Sequence, residues 1–212
     1  MTSIGVLGSG RVATALASKL ASVGHAVMVG SRDPAAAKEK WTGPLVRHGS
    51  HSRTARDAAI VINATPGQTT LARLSDLRSE LDGKILVDVA NATTRGADGL
   101  PGGLCYPNGS LAEHLQRALP GTRLVKTLNT MLFTVMVDPR SLSTPPTAFL
   151  SGDDGDAKAT VAGLLGDLGW PPEWIVDLGA IASARGTEAI MLLAPHVLRH
   201  YGFAPFAIAI AR

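Results

Sequence analysis

A six-residue stretch near the start, Gly8-Ser9-Gly10-Arg11-Val12-Ala13, constrains this chain more than any other. It follows the short apolar run Ile4–Leu7 and opens a segment in which Val12, Leu16, Leu20 and Val23 recur on one helical face. Ala26–Gly30 is a second apolar run, so the pattern predicts strand, tight turn, helix, strand. In that context G-x-G-x-x-A is a dinucleotide fingerprint. Gly8 permits the turn, Gly10 lets backbone approach a pyrophosphate, and the helix N-terminus offers free N–H groups and a partial positive charge. Ala13 stands where the fingerprint accepts glycine or alanine.

The end of the second strand selects the dinucleotide. An NAD site usually carries Asp or Glu there for the ribose 2′-hydroxyl. This chain has Gly30-Ser31-Arg32, and a hydroxyl beside a guanidinium suits a 2′-phosphate, which an acid would repel. NADP(H) is therefore the expected cofactor, although Asp33 follows at once.

With 212 residues the chain is long enough for one substantial core and short for two ordinary domains. The net charge of +3 comes from scattered Lys and Arg without interleaved aromatics, which disfavours a nucleic-acid partner and suits small anionic ligands. The single Cys105 excludes an intrachain disulfide and a multi-cysteine metal site, and it reads as a small, partly buried apolar residue. The first residues enter a strand directly, and no apolar run has membrane-spanning length. A soluble cytoplasmic protein without a membrane partner is expected.

Further along, Asp33 caps a second helix with Pro34 in its first turn. The polar stretch 41–56 leaves Leu45-Val46 as the only candidate for a short third strand. Ile60–Ala64 and Ile85–Val89 are apolar strands, separated by a helix over 70–81 with Leu71, Leu74, Leu77 and Leu81 at helical spacing. Ser110 and Glu113 form a capping box for a helix to Leu119, followed by strand Leu124–Leu128. After the turn-rich segment 138–146, strand Thr147–Leu150, a helix opened by Asp153-Asp154 and strand Trp174–Leu178 complete the pattern. The fold expected is α/β, a Rossmann-type doubly wound, mostly parallel sheet with a C-terminal strand and helix extension. It would form a single compact unit over 1–212: Rossmann core 1–144, sheet extension 145–178 and helical segment 179–212. Ligands of such sheets lie at the carboxyl ends of the strands, where Thr65, Pro66, Asn91, Ala92 and the Asn129–Met131 segment fall.

The tail differs. Glu188–Leu198 is apolar nearly all round and contains Pro195, so it should be buried, bent or covered by a second subunit. With Phe203, Phe206, Ile208 and Ile210 it points to a homodimer formed through the C-terminal helix. Lys126 and Asp88 lie inside strands and should be compensated by buried pairing or strand-end hydrogen bonds. Ser183 and Arg185 either bind an anionic group at the last helix or form a cap and an ion pair with Glu188. His196 and His200 share a helix face without an acidic companion, so no metal site is expected.

Four segments together resemble the NADPH-dependent deazaflavin reductases, the NADP oxidoreductases of coenzyme F420. They are Val6–Gly10 with Gly30–Arg32; Asn63–Pro66; Val125–Met131; and Ser151–Asp154 followed by Ser183–Glu188. The resemblance covers nearly the whole length. It implies that Ser9, Gly10, Arg11 and Val12 hold the pyrophosphate, Ser31 and Arg32 the 2′-phosphate, and that Pro66 lies along the dinucleotide; Gly8 at the turn and Thr65 at the sheet edge join them as expected cofactor-binding residues. Asn91, Ala92, Asn129 and Met131 would surround the nicotinamide. The family's further lysine at the 2′-phosphate aligns only with a gap, and Lys38, about half a helical turn late, is its nearest counterpart. NADP(H) is implied as cofactor and coenzyme F420 as possible acceptor. The reaction is hydride transfer between NADPH and a deazaflavin or flavin-like acceptor, which requires two rings held face to face and no protein acid or base, so no catalytic side chain is named. The rival readings are an NADPH-dependent reductase of a small imine or carbonyl compound, and a non-enzymatic NADP-binding module.

Overall fold

The computed structural model describes residues 1–211. The elements in chain order are β1 (Ser3–Leu7), α1 (Arg11–Ser22), β2 (Ala26–Gly30), α2 (Pro34–Glu39), β3 (Arg47–Gly49), α3 (His51–Asp57) and β4 (Ile60–Asn63). Next come α4 (Gly67–Ser75), α5 (Arg78–Leu81), β5 (Ile85–Asp88), β6 (Thr93–Arg95), β7 (Pro101–Leu104), α6 (Leu111–Ala118) and β8 (Arg123–Lys126). The remainder is α7 (Phe133–Val137), β9 (Ala148–Leu150), α8 (Gly155–Asp167), β10 (Ile175–Asp177), α9 (Ala184–Ala189) and α10 (Ala194–Tyr201).

Six strands form one parallel sheet in the order β3-β2-β1-β4-β5-β8. The near-continuous apolar runs follow from burial on both faces. Ile4, Val6, Ile60, Ile62, Ile85, Val87 and Val125 meet one helical layer, which includes α1, α7 and α8. Leu7, Val61, Leu86 and Leu124 meet the opposite layer of α3 to α6. Gly5 allows α3 to lie close, since a Cβ there would stand 2.8 Å from the Thr54 carbonyl oxygen. The sheet thus has the Rossmann-type doubly wound architecture expected. Beyond β8, the parallel pair β9–β10 attaches through an antiparallel bridge between Lys126 and Ser151, which supplies the C-terminal extension.

Several details depart from the sequence pattern. The third strand is Arg47–Gly49 and not Leu45-Val46, and Leu45 is 97% exposed. An edge strand paired only with β2 needs no apolar run, so its position carries little hydrophobic signal. The helix expected over 70–81 starts earlier, at Gly67, and breaks at Leu77 into α4 and α5, while Leu74, Leu77 and Leu81 all stay in the core. The antiparallel hairpin β6–β7 and the short α7 are additions. Of the readings offered for Glu188–Leu198, the bend is what the structure shows: α9 passes into a 3₁₀ turn, Ile190–Leu193, before α10. Pro195 lies in the first turn of α10, where a missing N–H costs nothing.

The last residues return to the sheet. Gly202 reverses the chain at φ +74°, Leu132 N–H donates to Phe206 O at 2.9 Å, and Ile208 N–H donates to Thr130 O at 3.2 Å. The tail thereby forms a strand-like bridge to Met131 within its own chain.

Candidate functional site

The fingerprint turn is built for close approach. Gly8 lies at φ +122°, and a Cβ there would stand 2.6 Å from Ala64 O, so both conformation and space demand glycine. Its N–H donates to Gly30 O at 2.8 Å, which ties the turn to the end of β2. Gly10 is the N-cap of α1 and supplies no side-chain partner for the first N–H groups. A Cβ on Gly10 would meet nothing within 4 Å, so open space lies over the helix end. Ala13 is buried beneath, where its Cβ would meet one on Gly8 at 3.5 Å.

A cavity of about 440 Å³ adjoins this turn, lined among others by Ser9, Ser31, Arg32, Lys40, Trp41 and His48. Ser31 is only 4% exposed, yet its Oγ has no hydrogen-bond partner, and the Nδ1 of His48 is likewise buried and unpaired. Arg32 joins no ion pair among the described residues. Asp33 also lines the cavity, but its carboxylate caps α2, accepting from Ala36 N–H at 3.0 Å. Two orphaned polar atoms beside a guanidinium fit a phosphate, because buried polar groups otherwise find partners. Lys38 does not line the cavity and Lys40 does; Lys40, Trp41 and His48 carry no local sequence signal and enter through the fold. Burial, then Lys38, lowers the His48 pKa.

At the carboxyl ends of β4, β5 and β8 the polar side chains are joined into networks. Asn63 Nδ2 donates to Asp88 Oδ1 at 2.7 Å, and the Thr65 hydroxyl donates to Asn63 Oδ1 at 2.7 Å. Pro66 is exposed at the start of α4. A Cβ on Gly67 would collide with the Asn91 carbonyl, so α4 rests directly on the Asn91-Ala92 backbone. Asn91 Nδ2 donates to Asn129 O at 2.8 Å, while Asn129 Nδ2 donates to Asn91 Oδ1 at 2.9 Å and to Thr187 O at 3.0 Å. Ala92, Asn129 and Met131 are buried, and Asn91 is half-buried. Leu128, at φ +57°, turns the chain from β8 into this segment and is the only non-glycine residue with positive φ among the described residues. Such a conformation costs about 1–3 kcal/mol and is retained where the surroundings enforce it.

Beneath this edge lies a charged cluster that includes two residues singled out in the sequence. Lys126 Nζ lies 2.9 Å from Asp88 Oδ2 and 3.0 Å from Glu188 Oε1, and it also donates to Ala90 O. All three charged side chains are at least 96% buried. Burial works against the ammonium, but the two carboxylates outweigh it and hold the Lys126 pKa above the usual lysine range. Glu188 also accepts the N–H groups of Leu111 at 2.8 Å and Ala112 at 3.1 Å, which satisfies the start of α6. Arg185 therefore does not pair with Glu188. It forms a two-pronged pair with Glu113, at 2.7 and 2.6 Å, while Glu113 also accepts from the Ser110 hydroxyl. The tertiary neighbour on α6 wins because the Glu188 carboxylate is already engaged by Lys126 and two backbone donors.

The molecule thus brings the fingerprint turn, the Ser31–Arg32 cavity and the Asn91–Asn129 network to one edge of one sheet. Among the described residues, no helix is long and apolar enough to cross a membrane. A profile of the family described as "NADP oxidoreductase coenzyme F420-dependent" matches residues 3–92, from β1 to Ala92. A crystal structure from Arthrobacter sp. FB24, provisionally named an F420-dependent NADP-reductase, is 38% identical and superposes at a TM-score of 0.92 with 100% of both chains covered. Metalloreductase STEAP3 of Rattus norvegicus is 32% identical over 192 residues, 89% of this chain, but the chain spans only 36% of that protein's length. The F420-dependent NADP reductase of Methanocaldococcus jannaschii is 28% identical over 139 residues, 64% of this chain and 60% of that protein. With a relative matched over its full length, and with the turn and strand-end residues in place, the chain belongs to the coenzyme F420-dependent NADP oxidoreductase family.

Proposed function

We propose that the protein binds NADP(H) across the carboxyl edge of its sheet and transfers hydride between that cofactor and a deazaflavin of the F420 type or a flavin-like acceptor. The observation that carries this reading is the buried Ser31 Oγ, without a hydrogen-bond partner, beside Arg32, which joins no ion pair among the described residues. When bound, the nicotinamide supplies the hydride. Gly8, Ser9, Gly10, Arg11 and Val12 hold the diphosphate, Ser31 and Arg32 hold the 2′-phosphate in the cavity that Lys40 rather than Lys38 lines, and Thr65 and Pro66 line the path. Asn91 and Asn129, fixed by their mutual hydrogen bonds, form with Ala92 and Met131 the wall against which the ring is oriented. No side chain need give or take a proton if the acceptor carbon receives hydride directly. The buried acids and lysine at this edge fit that view: Asp88, Lys126 and Glu188 are engaged with one another, and none is free as a donor to an imine or carbonyl substrate.

The test mixes protein and NADPH with a deazaflavin, then FMN, then a panel of carbonyl compounds, and follows nicotinamide absorbance. Consumption with the deazaflavin is expected; tight NADPH binding without any turnover would leave a binding module instead. The same proposal places the protein in the cytoplasm and as a homodimer. The dimer is supported by Leu193, Tyr201 and Ile210, which are 49%, 72% and 57% exposed on the C-terminal segment. Light scattering that finds only monomer at micromolar concentration would remove the dimer from the proposal.

A further inference from the structure

Arg11, the first residue of α1, has an exposed side chain with no ion-pair partner among the described residues. Its guanidinium nonetheless lies over two aromatic rings, 5.5 Å from the centroid of Phe133 and 5.2 Å from that of Phe203. Phe133 opens α7 and is half-buried, whereas Phe203 is 63% exposed, so core packing does not account for its place. Both rings arrive through one piece of architecture. Gly202 turns the chain out of α10, and the tail is bonded to the segment just before Phe133 through Leu132 N–H to Phe206 O and the Met131–Ala207 bridge. Arg11, Ser9, Gly10 and Phe133 border an open hollow of about 550 Å³ beside the glycine turn.

We propose that Phe203, together with Phe133, preorganises the Arg11 guanidinium for the diphosphate of the dinucleotide, which makes the C-terminal tail a working part of the cofactor site. A long, rotamer-rich cation on an open helix end is costly to immobilise, and stacking on two ring faces holds it without neutralising its charge. An acidic partner would hold it as well but would oppose the anion. Phe203 is a positioning residue in this scheme, acting through Arg11. The inference rests on the dinucleotide reading above and concerns the phosphates common to NADPH and NADH, not the 2′-phosphate.

The experiment is calorimetric titration of NADPH, NADH and adenosine 2′-monophosphate into the full chain and its variants. Phe203→Ala is expected to weaken NADPH and NADH by the same factor, roughly 3- to 10-fold, and to leave the monophosphate unchanged. Phe203→Trp should restore affinity and Phe203→Leu should not, because the ring face and not apolar bulk is required. In an Arg11→Ala background the Phe203→Ala change should add nothing. Unchanged dinucleotide affinity in Phe203→Ala, rescue by leucine, or an additive loss on top of Arg11→Ala would each overturn the proposal. So would an effect confined to the Michaelis constant of the hydride acceptor. Failure of the unaltered protein to bind NADPH would instead defeat the dinucleotide reading itself.

Discussion

In the proposed cofactor site Arg32 and Ser31 are the residues that would meet a 2′-phosphate, and each residue's share can be measured. A charge-assisted hydrogen bond contributes about 1.5–3 kcal/mol, so Arg32→Ala should weaken NADPH roughly 10- to 150-fold and leave NADH nearly untouched, as titration of both would reveal. The histidines nearby make the ligand-free protein sensitive to acid. Burial, then Lys38, lowers the pKa of His48, and burial, then Arg73 and Arg32, lowers that of His51. A lowered pKa means the unfolded chain takes up the proton more readily, so stability is present above the ordinary histidine value of about 6.5 and is lost as pH falls below it. Thermal melts between pH 8 and pH 5 should fall through that window, and saturating NADP should reduce the drop, since a bound phosphate offsets the positive field around both rings. The place of Ser31-Arg32 at the end of β2 was legible because strand-end position is set locally. Lys40, Trp41 and His48 were not, since a polar loop becomes a cavity wall only once β3 has paired with β2.

Among the elements, β5, β8, α6 and α9 are joined through Lys126, Asp88 and Glu188. Removing one partner from a buried ionic group leaves the others uncompensated, at a cost of about 3–5 kcal/mol. Lys126→Met should therefore lower the melting temperature far more than loss of an exposed pair such as Arg53–Asp57, which is worth at most about 1 kcal/mol. Denaturant titration of the two variants gives the comparison. The strands of this group were readable because each is a compact apolar run. The need for Lys126 and Asp88 to be compensated was readable too, from the cost of burying charge. The identity of the third partner, Glu188, was not: spacing along one helix suggested that Glu188 pairs with Arg185, and only the packing of α9 on α6 shows Glu113 taking Arg185 while Glu188 turns to Lys126. The hairpin β6–β7 went unseen because β6 is only three residues with no apolar side chain and β7 carries Gly102 and Gly103, so neither gives a hydrophobic pattern.

At the scale of the whole molecule, the doubly wound sheet was legible nearly throughout, because alternation of apolar strands with amphipathic helices leaves few other arrangements. The last residues were harder, since their apolar side chains fit an intermolecular contact as well as the return to Thr130–Leu132 that the structure shows. The ties that fasten the C-terminal segment, Lys126 to Glu188, Asn129 to Thr187 and Leu132 to Phe206, all reach across the bend at the exposed Ala180. Continuity of the backbone at that bend is then dispensable once folding is finished. A protease nick placed there should yield two pieces that travel as one species through a native gel and part company only in urea.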